Sequence, residues 1–170
     1  MAIIVTGASG GFGRAAAEQL LDKVPASQLI FTTRKPQGLA DFAARGASVR
    51  YADFDDPTSL AQAFAGGAKM LLISTARVGS RVGQHENAVK AAVAAGVGHI
   101  TYTSILSAHR PQNPAIVKLD HRATEEESAG ENKIIGSVDG FARQVIPEQM
   151  QSLGNCRSYH RNNIDHSQDK

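Results

Sequence analysis

An apolar run at residues 2–6 leads directly into Thr6-Gly7-Ala8-Ser9-Gly10-Gly11-Phe12-Gly13, and an alanine-rich, helix-patterned stretch follows at once. This strand, glycine turn and helix constrain the fold more than any other feature of the chain. Gly7 permits the tight turn, Gly10 lets backbone approach a ligand closely, and Gly13 lets the helix pack against the sheet. The helix start presents free N–H groups and a partial positive charge, which suits an anion. Gly7, Ala8, Ser9, Gly10, Gly11, Phe12 and Gly13 therefore read as a cradle for the pyrophosphate of a dinucleotide.

The rest of the chain repeats the alternation that the motif begins. Short runs rich in Val, Ile, Leu or Tyr at 2–6, 28–33, 48–52, 69–74 and 99–103 read as buried strands. Helix-like segments lie between them at 11–23, 38–44, 59–64 and 84–95. Repeated βαβ units imply an α/β, Rossmann-like, doubly wound parallel sheet of five strands in the order 3-2-1-4-5. Apolar residues thin out after Glu127, where 133–135 is the one further strand candidate. The expectation is a Rossmann domain over 1–126 and a divergent, poorly ordered tail over 127–170.

With 170 residues there is room for one domain with a sizeable core. A net charge of +2, with basic residues scattered among acids, gives no stripe for nucleic acid or anionic lipid. The amino-terminal stretch has no basic lead and too short an apolar run for a signal peptide or membrane span. Cys156 is the single cysteine, so an internal disulfide and a cysteine-rich zinc site are both excluded. The reading is a cytoplasmic protein with no nucleic-acid or membrane partner.

Cofactor choice is set at the end of the second strand, where an NAD-binding domain usually places a carboxylate on the ribose 2′-hydroxyl. Here the chain reads Phe31-Thr32-Thr33-Arg34-Lys35-Pro36. A guanidinium at Arg34 offers charge-assisted bonds to a 2′-phosphate and no acceptor for a hydroxyl, so NADP(H) is favoured over NAD(H). Asp53 and Phe54 follow the third strand. The carboxylate is placed to accept from an adenine amino group and the ring to cover the base, although Phe54 equally suits the core.

These segments, taken in order, resemble the NmrA-like branch of the atypical short-chain dehydrogenases, the branch of bacterial-type NAD(P)H:quinone oxidoreductases and triphenylmethane reductase. The likeness rests on VTGASGGFG, VPASQLIFTTRKP, VRYADFDDPTSLAQAFAG, KMLLISTARVG, QHENAVKAAVAAGVGHITYTS and HRATE, across residues 1–125. It implies that Gly7 to Gly13 and Arg34 bind NADP(H) and that Asp53 and Phe54 contact the adenine. It further implies that Ser74 and Thr75 run along the ribose and nicotinamide, and that Ser104 lies near the nicotinamide. The reaction implied is hydride transfer from NADPH to a small-molecule acceptor such as a quinone or a similar conjugated compound.

Ordinary short-chain dehydrogenases carry Tyr-x-x-x-Lys, but Tyr51, Tyr102 and Tyr159 are followed four residues on by Asp55, Leu106 and Asn163. In HRATE, His121 occupies the family position that replaces that lysine, which makes it the candidate catalytic residue. After Glu125 the family continues into a Tyr-Thr-x-Leu-Arg-Asn strand and a C-terminal substrate lobe, and this chain reads EESAGENKIIGSVDGFARQVIPEQMQ instead. The sequence thus predicts a chain lacking the family's substrate lobe. Two alternatives to an oxidoreductase stand beside it: a noncatalytic NADP(H)-binding redox sensor acting through a protein partner, and an inactive fragment. A homodimer is compatible with each.

Overall fold

The computed structural model describes residues 1–77 and 79–103, and the backbone of 135–136. Its strands are β1 (Ala2–Val5), β2 (Leu29–Thr33), β3 (Ser48–Tyr51), β4 (Gly67–Leu72), β5 (His99–Tyr102) and the two-residue β6 (Ile135–Gly136). Helices α1 (Gly11–Leu21), α2 (Ala40–Ala44), α3 (Pro57–Phe64) and α4 (Arg81–Ala94) alternate with them. All pairings are parallel and the order is β3-β2-β1-β4-β5-β6. The five expected strands thus stand in the expected order, and β6 extends the sheet beside β5.

Period-two alternation along each strand splits the core between the two faces. Ile3, Val5, Leu29, Phe31 and Leu71 pack with Ala17 and Leu20 of α1 and Phe42 of α2. Ile4, Ile30, Met70, Leu72, Ile100 and Tyr102 pack on the other face with Leu60 and Phe64 of α3 and Ala88, Val89 and Ala92 of α4. Burial on both faces explains why the strands read as continuous apolar runs.

Helix limits differ from the sequence reading where turn chemistry decides them. The segment before α2 starts as a 3-10 turn at Pro36–Leu39, so the α-helix proper is only Ala40–Ala44. Helix α3 begins two residues early, at Pro57, because Asp56 caps it, accepting from the Thr58 and Ser59 amides at 3.0 and 3.4 Å. Helix α4 begins three residues early, at Arg81. The expectations for Ser104, His121, the boundary at 126/127 and the tail lie outside the described residues, Ile135 and Gly136 aside. Among the described residues no helix is long and apolar enough to cross a membrane.

His99 and Thr101 on β5 are buried polar residues, 3.3 Å apart between His99 Nε2 and Thr101 Oγ1. Burial, and then the nearby Lys69 ammonium, push the His99 pKa below its ordinary 6.5. The unfolded chain therefore takes up a proton near pH 6.5 that the folded chain still refuses. His99 thus supports the fold above that pH, and the support is lost as pH falls through the lowered folded value. In chemical denaturation at neutral pH and at about pH 5.5, His99→Gln should lose less stability on acidification than the wild type. An identical acid loss in both proteins contradicts this.

Candidate functional site

The glycine turn sits at the C-terminal edge of the sheet, where successive connections from β1 and β4 leave toward opposite faces. Gly7 has φ +60°, a conformation that costs a residue with a Cβ. At Gly13 a Cβ would meet the Gly7 carbonyl, approaching its carbon to 2.8 Å and the Ala8 Cα to 2.9 Å. Only glycine lets α1 come this close to the turn. Gly10, the helix N-cap, has no side chain to cap with, and its own N–H donates to the Gly7 carbonyl at 2.9 Å. The amides of Gly11, Phe12 and Gly13 have no acceptor among the described residues, as expected for the first turn of a helix. Of the loop residues, Ala8 is buried and donates its N–H to the Thr32 carbonyl at 3.1 Å, whereas Ser9, Gly10, Gly11 and Phe12 are exposed.

Side chains around the turn hold it to the neighbouring strand ends. Thr6 lies between β1 and β4: its hydroxyl donates to the Leu71 carbonyl at 3.3 Å and accepts from the Ile73 amide at 2.9 Å. Ser9 Oγ and Thr33 Oγ1 pair at 2.6 Å, and Thr33 Oγ1 also accepts from the Lys35 amide at 3.1 Å. Arg34 follows directly. It is exposed, and its guanidinium has no hydrogen-bond or ion-pair partner among the described residues. By contrast Arg14 is engaged by Asp41, by the Gly38 carbonyl and by the Phe42 ring.

The second group of sequence candidates lies at the ends of β3 and β4. Asp53 is half-buried, and one of its carboxylate oxygens accepts from the Asp55 amide at 3.1 Å. Phe54 packs against the core with its ring edge-on to His85 at 6.2 Å, so the core reading of this ring accounts for part of its surface. Ser74 N–H donates to Thr103 Oγ1 at 2.8 Å. Thr75 is held at both backbone groups from α4: its N–H donates to His85 Nε2 at 3.1 Å and its carbonyl accepts from Arg81 Nε at 2.7 Å. Its hydroxyl is buried and has no partner among the described residues.

Several of these groups were not singled out from sequence: Thr6, the Ser9–Thr33 pair, Arg81, His85, and the link from Asp55 to Arg77 and Gln84 at 3.0 Å. A usable signal existed for His85, because a histidine at an apolar spacing with Ala88, Val89 and Ala92 marks a buried polar position on α4. Thr6 offered no comparable signal, since a threonine at a strand end is common.

Free helix amides, a glycine approach closed to any side chain and an unpaired guanidinium, all at the point where the strand order reverses, define a doubly wound nucleotide-binding domain. The chain belongs to the NAD(P)H-binding, NmrA-like family: the NAD(P)H-binding family model matches residues 7–134. Quinone oxidoreductase 2 of Escherichia coli K12 is 43% identical over 124 residues, 73% of this chain and 43% of its own length. An NmrA-like family domain-containing oxidoreductase of Aspergillus flavus, flvB, is 32% identical over 131 residues, 74% of this chain and 43% of its own. Triphenylmethane reductase from Citrobacter sp., solved in complex with NADP(H), matches with TM-score 0.76 and 35% identity over 84% of this chain and 52% of that one. The chain therefore spans about half the length, or less, of the relatives it matches.

Proposed function

We propose that this chain binds NADP(H) and serves an oxidoreductase that reduces a quinone or a similar flat conjugated acceptor. The observation that carries the reading is the junction of the glycine turn with α1, where three unpaired amides and a backbone contact too close for a Cβ stand within reach of the β2 end. A diphosphate suits those amides, and the 2′-phosphate suits Arg34, whose fork is unengaged. Asp53 has one oxygen left over for an adenine amino group, and the unpartnered Thr75 hydroxyl supplies a further polar contact.

The reduced nicotinamide, when bound, supplies a hydride, so a quinone takes up two electrons and, with one further proton, leaves as the hydroquinone while NADP⁺ remains. The chain's own part is to bind, orient and exclude water. Ser104 is assigned to the nicotinamide end and His121 to proton delivery. The names of the bacterial relatives, a quinone oxidoreductase and a triphenylmethane reductase bound to NADP(H), support both the cofactor and the acceptor class.

The purified chain mixed with NADPH and a soluble benzoquinone should deplete the near-ultraviolet absorbance of the reduced nicotinamide faster than protein-free controls. Binding of NADPH without turnover overturns the reductase assignment and favours a sensor acting through a protein partner. Absence of binding overturns the cofactor assignment as well.

A further inference from the structure

We infer that His85, neutral and protonated on Nδ1, is a positioning residue that fixes Thr75, after β4, for cofactor binding, an inference that rests on the NADP(H) reading above. His85 is fully buried. Its Nε2 lies 3.1 Å from the Thr75 amide, which can only donate, so Nε2 must accept. The ring proton then resides on Nδ1, 3.3 Å from Tyr102 Oη, which accepts it. The imidazole also stands edge-on to the Tyr102 ring at 5.3 Å and to Phe54 at 6.2 Å, which sets its plane.

The consequence falls on Thr75. One turn earlier on the same helix Arg81 holds the Thr75 carbonyl at 2.7 Å, so two side chains four residues apart grip both peptide groups of one loop residue. The helix beneath is anchored in turn: Gln84 donates to both Asp55 carboxylate oxygens at 3.0 Å, and Asn87 donates to the Phe54 carbonyl at 3.0 Å. Residues 53–54, assigned to the adenine, and 74–75, assigned to the ribose and nicotinamide, are thereby held at a fixed separation by α4. Thr75 keeps its hydroxyl unpartnered while its backbone is fully engaged. Such an arrangement orders a loop before its ligand arrives, and that preorganisation improves affinity by lowering the ordering cost of binding.

The test uses the full chain and NADPH as the probe. His85→Leu removes the acceptor and leaves the part-buried Thr75 amide unpaired, so NADPH affinity should fall about tenfold or more. His85→Gln can restore an acceptor with its Oε1 and should recover most of that loss. Equal affinity of wild type and His85→Leu, or equal weakness of the Leu and Gln variants when both fold, overturns the inference. Should His85→Leu fail to fold, Tyr102→Phe removes the Oη that faces Nδ1 while keeping the ring, and should still weaken NADPH measurably; unchanged affinity there counts against the inference. Independently of any variant, a ¹⁵N-resolved imidazole spectrum of the wild type at neutral pH should show the Nδ1–H tautomer of His85, and an Nε2–H tautomer or an imidazolium contradicts it. A wild type that does not bind NADPH removes the cofactor reading itself, whereas parity between a binding wild type and His85→Leu removes only the role of His85.

Discussion

Arg34→Ala should weaken NADPH by about 10- to 100-fold while changing NADH less than about twofold, because it removes charge-assisted bonds to a phosphate that only one cofactor carries. The substitution is a clean probe. Arg34 is exposed and engages nothing else among the described residues, so stability should stay within about 0.5 kcal/mol of wild type. Arg34→Lys should fall between the two, since an ammonium keeps the charge and loses the planar fork. The neighbouring Lys35 is also exposed and leaves a residual preference for NADPH in the alanine variant. Titrations of both nicotinamides monitored by fluorescence check this directly, and equal losses for both would refute the assigned role.

Gly13→Ala should damage both fold and binding. Its new methyl group meets main-chain atoms of Gly7 and Ala8 rather than a side chain that can swing away, so α1 must shift from the sheet edge. Overpacking of this kind costs about 1–3 kcal/mol, with a fall in Tm of about 2–4 °C per kcal/mol for a chain of this size. The shift also moves the free amides of the helix start, so affinity for both nicotinamides should fall together, unlike the selective loss at Arg34. Gly11→Ala is the matched control for stability. A Cβ at Gly11 meets nothing within 4 Å, and alanine favours a helix, so the fold should be unharmed or slightly more stable. Thermal melts of the two variants separate a steric requirement at residue 13 from a general demand for glycine in the turn.

How far the sequence reveals this molecule depends on which forces are local. Strand positions were legible because burial on both faces forces unbroken apolar runs such as Leu29 to Phe31, and the glycine spacing in 7–13 exposed the cradle because backbone conformation and close approach are written in residue type. Helix α1 starts at Gly11 as expected, whereas the starts of α2, α3 and α4 differ by two or three residues because they depend on capping and tertiary contacts, as Asp56 shows at α3. The polar ties were the least legible. The Thr6 bridge joins strands 65 residues apart in the chain, and the grip of Arg81 and His85 on Thr75 appears only once α4 is laid against the sheet. Neither pairing has a local signature, although the spacing of His85 with Ala88, Val89 and Ala92 marks it as a buried polar position. Phe54 reads as ligand contact or core from its position, and the structure shows its core packing.

A crystal structure of the chain grown with NADP⁺ tests the central claim most directly. It should place the diphosphate against the amides of Gly11, Phe12 and Gly13 and the 2′-phosphate against the Arg34 guanidinium. Well-ordered crystals at saturating NADP⁺ with no density at the α1 start, or with the dinucleotide bound elsewhere on the sheet, would contradict it.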